Sequence, residues 1–158
     1  MLSWPEFATR QPDLAAAGRK HLYQWDVGLA FLATVRPDGG PRVHPVCPAI
    51  SDDGLLILVT DGPKQRDLLR DGRYSLHSET CPPPRHDDGF SVTGSAREIT
   101  DPAVKQRFGD QLLVERKQDE LWPSFADDRL FELSIERCLL MQTLPDEPFP
   151  QGPTIWRA

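Results

Sequence analysis

The chain has 158 residues and a mass of 17.8 kDa, enough for one domain with a substantial core and too little for two. A formal net charge of -6 and a sequence pI near 5.2 set it against polyanions, so nucleic acid is excluded as a natural partner. With 39% hydrophobic and 27% charged residues the composition is that of a soluble globular protein.

Cys47, Cys81 and Cys138 form no C-x-x-C pair, and an odd count does not build a disulfide framework, so a reducing cytoplasm is the expected compartment. Glu6 interrupts the apolar N-terminal stretch, and no segment reaches the roughly 20 apolar residues of a membrane helix, so neither export nor membrane spanning is expected.

In chain order, Pro12-Asp13 opens a helix predicted to run to Tyr23. Ala30 to Arg36 alternates as a strand and stops at the hairpin signal Pro37-Asp38-Gly39-Gly40. The return strand, Pro41 to Ile50, carries prolines at 41, 45 and 48 and is therefore an edge or bent strand. Leu55 to Thr60 is short, apolar and buried. Gly62-Pro63 then opens a helix to Arg70 with proline in its first turn, closed by Asp71-Gly72. Tyr74 to Ser78 is a fourth strand, Cys81 to Asp88 an irregular loop, and Phe90 to Ala96 a fifth strand. Asp101-Pro102 starts helical structure predicted to break near Gly109 and resume from Leu112 to Leu121. Arg129 to Thr143 is the sixth strand, and residues 144–158 form a proline-rich tail. One domain over 1–158 follows, with an N-terminal helical segment at 1–26, a barrel over 27–143 that holds a helical insertion near 101–122, and the tail. Connections this short exclude a parallel sheet, so the expected fold is a six-stranded antiparallel split β-barrel with flanking helices, mainly β in class.

Three segments between Val27 and Thr100 resemble the pyridoxamine 5′-phosphate oxidase-like family, the FMN-binding split barrels, which include the deazaflavin-dependent reductases. They are the hairpin from Phe31 to Val46 with its Pro-Asp-Gly turn, the strand, turn, helix and strand from Val59 to Leu76, and the strand from Val92 to Ile99. The resemblance implies a homodimer with a flavin-type cofactor between subunits. It makes Lys64 the leading phosphate residue, since Thr60, Gly62, Pro63 and Lys64 supply a hydroxyl, a helix start and a cation. Arg42 is the matching guanidinium on the preceding strand. Val43, His44, Pro45 and Val46 are expected along the ring, and Trp156 with Arg157 resembles the family's C-terminal segment near the partner's cofactor.

His77 stands on a neighbouring strand and is placed to face the same slot. Four histidines without ligand spacing do not make a metal site. Arg66, Arg70, Glu115, Asp119 and Glu120 read as solvated helix faces. No catalytic acid, base or nucleophile stands out. The expected function is therefore an FMN-dependent oxidoreductase acting on a small molecule; the alternatives are a deazaflavin-dependent reductase and a non-enzymatic flavin- or haem-binding protein. Activity on pyridoxamine 5′-phosphate itself is not expected, because residues 145–158 hold a single basic side chain, Arg157.

Overall fold

The computed structural model describes residues 1–85, 87–144, 146, 147, 150 and 152–158. His86 of the proline-rich loop, and Pro145, Pro148, Phe149 and Gln151 of the tail, lie outside the described residues. Among those described, the elements run α1 (Trp4–Arg10), α2 (Pro12–Leu22), β1 (Ala30–Val35), β2 (Pro41–Val46), β3 (Ala49–Ser51), β4 (Gly54–Val59), α3 (Pro63–Arg70), β5 (Arg73–Ser78), β6 (Gly89–Ile99), α4 (Pro102–Arg116), a 3₁₀ turn (Pro123–Ala126), β7 (Arg129–Met141) and β8 (Thr154–Arg157). No helix among them is long and apolar enough to cross a membrane.

All strand pairings are antiparallel, in the order β2-β1-β5-β6-β7-β4-β3, with β8 added on β7. The sheet curls into a half-barrel, the expected split-barrel architecture, but with eight strands rather than six. Both additions have a physical cause. Pro48 ends the ladder of β2, so the predicted strand from Pro41 to Ile50 divides into β2 and the short β3. The proline-rich tail, to which the sequence assigned no strand, ends as β8, with Trp156 opposite Cys138.

The core fills the curl. Leu32, Leu76, Phe90, Val92, Leu133 and Ile135 face inward from the sheet, and Trp4, Phe7, Leu14 and Leu22 plug it from α1 and α2. Helix α1 is absent from the sequence reading. Its signal was present: Ser3 and Glu6 form a capping box around Pro5, with the Glu6 amide donating to Ser3 Oγ and the Ser3 amide to Glu6 Oε2.

Strand β4 is apolar throughout because both faces are covered. Leu55, Ile57 and Val59 enter the main core, while Leu56 joins Ala49, Phe108, Leu112 and Leu130 beneath α4. Helix α4 does not break at Gly109 and does not reach Leu121; it runs unbroken to Arg116 and ends at Lys117 in the left-handed conformation. Gly109 serves close packing instead, since a Cβ there would stand 2.9 Å from both Leu121 Cδ1 and Phe125 Cζ.

Beyond the reach of α4, the outer face of the sheet is open. The register lines up Pro45, Phe31, His77, Ser91, Leu139 and Ile155 in one row across six strands, and Val43, Ala33, Ser75, Thr93, Arg137 and Arg157 in the next. Val43 is 60% exposed and Phe31 37%.

Candidate functional site

Helix α3 is fixed to the sheet by three of its polar side chains, which make four hydrogen bonds. Gln65 Nε2 donates to the Val59 carbonyl at 2.9 Å, which seats the helix start on the end of β4. Asp67, buried under the helix, accepts from Thr34 Oγ1 at 3.0 Å and from Arg42 Nε at 2.7 Å. Arg70 donates to the Val35 carbonyl, which places it across the helix–sheet junction rather than in solvent. The helix has proline at its start and no side-chain cap on Gly62, so first-turn amides remain open beside Lys64.

Lys64 borders a cleft of about 240 Å³ between β2, β4 and α4. Its apolar wall comes from Pro45, Val46, Leu58, Phe108, Leu112 and Trp122; its polar groups are Cys47, Thr60, Lys64, Arg116 and Asp128. Among the described residues Lys64 has no ion pair and no side-chain hydrogen bond. Burial pulls its ammonium below the usual lysine range, partly opposed by the nearby Cys47 thiol. A desolvated cation without a counter-ion favours an anionic ligand. Arg116 lies over the Trp122 ring at 5.6 Å, and the Trp122 indole donates to Asp128 Oδ2 at 2.8 Å, so the far wall is an aromatic plate held in place.

The cleft therefore unites Pro45, Val46, Thr60 and Lys64 of the sequence-predicted set; Gly62 and Pro63 stand beside it in the turn. Arg42 and His44 alternate away from Val43 and Pro45 along β2, so that run of residues is split between the two faces of the strand. Arg42 turns to Asp67, and Val43 faces out. His77 also faces out, on the row of Phe31, and its Nδ1 lies 2.7 Å from the Ser78 carbonyl oxygen.

Trp156 packs on Phe7, ring centroids 5.1 Å apart, at the far end of β7. The path along that strand from Arg129, which pairs with Val59 beside the cleft, to Cys138, which pairs with Trp156, is about 30 Å at about 3.3 Å per residue. Within one chain Trp156 and Arg157 are thus not brought to Lys64. Cys47, Leu58, Phe108, Leu112, Arg116, Trp122 and Asp128 are the lining residues that the sequence reading missed. The α4 residues among them become visible only once α4 is seen to pack over β4.

A broader groove of about 740 Å³ adjoins the cleft through Arg116 and Trp122 and is otherwise lined by residues 117–121 and Pro123, mostly exposed. No group of three or more ligating side chains gathers to hold a metal among the described residues.

The cleft fits the phosphate end and ring edge of a flavin mononucleotide: an unpaired cation, a hydroxyl and open helix amides lie next to an apolar slot. Its volume falls below the roughly 300–1,000 Å³ of ordinary ligand pockets.

Comparison with known proteins agrees with this architecture. No match is found among curated proteins. Among solved structures, an F420 reductase is 20% identical with a TM-score of 0.59, covering 75% of this chain and 94% of that one. A haem-binding protein from Mycobacterium smegmatis is 15% identical with a TM-score of 0.63, over 90% of this chain and 57% of that one. The haem storage protein HutZ from Vibrio cholerae is 15% identical with a TM-score of 0.59, over 82% and 93%. At these identities the likeness is one of fold. The family model for pyridoxamine 5′-phosphate oxidase, however, matches residues 24–142, from the end of α2 through β7. With the split barrel and the Lys64 turn both inside that span, the chain belongs to the pyridoxamine 5′-phosphate oxidase family.

Proposed function

We propose that the protein binds FMN in the Lys64 cleft, at the interface of a homodimer, and acts as an oxidoreductase on a small molecule. The observation that carries this reading is Lys64 itself: a half-buried ammonium with no ion-pair partner among the described residues, at a helix start, beside an apolar slot. The chain supplies position and electrostatics, and the redox chemistry is that of the flavin when bound.

The dimer rests on two features. A cleft of about 240 Å³ leaves much of an FMN uncovered, and the open outer face reaches the cleft rim at Pro45, which belongs to both. A second copy set on Phe31, Val43 and Pro45 buries exposed apolar surface and closes the site. In such a dimer Trp156 and Arg157 of the partner are candidates for the ring. Cytoplasmic location belongs to the same proposal.

The F420 reductase and the haem proteins of the same fold make a deazaflavin and haem the competing ligands. The experiment is a visible absorption spectrum of the purified protein before and after incubation with FMN, with the deazaflavin coenzyme and with haem, each followed by gel filtration. A retained oxidised-flavin spectrum in the dimer fraction supports the proposal. A retained Soret band or deazaflavin band, with FMN lost on the column, overturns it.

A further inference from the structure

A second cavity, of about 220 Å³, lies between α2 and the β5–β6 loop and shares no lining residue with the Lys64 cleft. Ala17, Lys20 and His21, at the i, i+3, i+4 spacing of one face of α2, form one wall together with Gln24 of the turn that follows the helix. The loop supplies the other wall, and it is tied to the turn after α2 where Gln24 Nε2 donates to the Thr80 carbonyl at 3.4 Å. Inside, Cys81 Sγ lies 3.6 Å from His21 Nδ1. Charged groups facing the pair are Lys20 and Arg85, both cationic, and Asp88, whose Oδ1 already accepts from the Thr143 amide and hydroxyl at 2.7 and 2.6 Å. His77 acts on His21 from the neighbouring strand.

From this geometry we propose that Cys81 and His21 form a nucleophile–base pair, a thiol-modification site for small anionic disulfides, with Lys20 and Arg85 drawing the anion. The step balances within the pair and the disulfide. His21 Nδ1 takes the Cys81 Sγ–H proton as Sγ attacks one disulfide sulfur. The new S–S bond forms, the old one breaks, and the departing thiolate takes the proton from His21. Cys81 is oxidised to a mixed disulfide, and half of the small disulfide is reduced to a free thiol.

The protonation states suit a base-assisted attack rather than a standing thiolate. Burial lowers the His21 imidazole below its usual range, as do Lys20 and His77 against Asp88, so it is neutral and able to accept at physiological pH. Burial and Asp88 raise the Cys81 thiol, against Arg85 and Lys20, so it keeps its proton until the base removes it. A metal is the other use of a cysteine–histidine pair, and no third ligand joins these two among the described residues.

The test is labelling of the purified protein with dithiobis(nitrobenzoate), a disulfide with a carboxylate on each ring, with peptide mapping to follow Cys81. The expected result is modification of Cys81 that slows about tenfold or more in His21→Asn, the low end of what a positioned base contributes. Unfolding by that substitution would expose Cys81 and speed its labelling, so slowing cannot come from lost structure. Lys20→Ala and Arg85→Ala should slow the anionic disulfide more than neutral hydroxyethyl disulfide, since both cations also act on the Cys81 thiol itself. In the unmodified protein, labelling of Cys81 should stay nearly level between about pH 7 and pH 8, because neutral imidazole and protonated thiol coexist there. A Cys81 rate that rises about tenfold per pH unit over that interval, the slope of an unassisted thiolate, overturns the proposal. So does a folded His21→Asn protein with an unchanged rate.

Discussion

Tyr23 and Glu115, 92 residues apart in sequence, meet side chain to side chain, the phenol donating to Glu115 Oε1 at 3.1 Å. The same phenol oxygen accepts from the Ile50 amide at 2.9 Å, Gln111 Nε2 donates to Glu115 at 2.7 Å, and Arg19 lies over the Tyr23 ring at 4.8 Å. One node thus fastens α2, β3 and α4 together. Glu115 is therefore structural rather than a solvated helix charge. Burial drives the Tyr23 phenol far above its usual range, so the hydroxyl keeps its proton under ordinary conditions.

Tyr23→Phe should lower the unfolding free energy by about 2 kcal/mol, since it removes two hydrogen bonds and leaves the Ile50 amide without its acceptor. Urea denaturation reads this directly. A loss below about 0.5 kcal/mol would show that water replaces the phenol without cost.

Asp67→Asn should cost about 2–3 kcal/mol at neutral pH, because Arg42 and Thr34 lose a buried anion. Burial alone would push this carboxyl up, yet the Arg42 and Thr34 hydrogen bonds and the Arg42 and Arg70 charges outweigh it and hold the group below the usual carboxylate range. A depressed folded value means the stability is present above the unfolded pKa, about 3.9, and is lost as pH falls through the folded one. Stability of the two proteins measured from pH 7 downward should accordingly differ by a constant amount to about pH 4 and converge below it. A gap unchanged in acid would place the effect in packing instead of charge.

Gly94→Ala should destabilise severely, by about 3–5 kcal/mol. A Cβ at this position would stand 1.8 Å from the Ser134 carbonyl oxygen and 2.9 Å from its carbon, at the register shift between Thr93 and Gly94 where β6 meets β7. Those are backbone atoms in the middle of a ladder and cannot turn aside. Thermal melting is the measurement, and a variant within a few degrees of the parent would refute the close approach.

Lys64→Ala should weaken FMN binding about tenfold or more, the loss of one charge-assisted contact of roughly 1.5–3 kcal/mol. Folding should be little changed, since Lys64 has no ion pair to lose among the described residues. Fluorescence titration checks the first and melting the second. Equal affinity in the two proteins would move the phosphate away from this turn.

The parts of this molecule legible in the sequence are those set by local rules. Alternation over Ala30 to Arg36, the Pro-Asp-Gly turn and the proline of Gly62-Pro63 each act within a few residues, and each appears in the structure as β1, the β1–β2 turn and the start of α3. Gly109 misled, because glycine inside a helix reads as a break when its purpose is contact with Leu121 and Phe125, far from it in the local pattern. The partner of Arg42 was not legible either, since only the placement of α3 shows that its guanidinium donates to Asp67. The wall of the cleft from α4 was illegible for the same reason, as nothing in residues 102–116 states which strand they cover.

The β6–β7 ladder runs without interruption from Gly89 opposite Met141 to Ile99 opposite Leu130, save for the single bulge, and has strands on both sides of it. Amide hydrogens there have no route to solvent except through opening of the whole sheet, so their deuterium uptake reports global unfolding. Uptake should quicken strand by strand across β5 and β1 to β2, whose prolines at 41 and 45 leave it the fewest ladder donors. Isotope labelling followed by proteolytic mapping thus turns strand order into a clock. On that side of the barrel β2, which borders the Lys64 cleft, should exchange before β1 and β5.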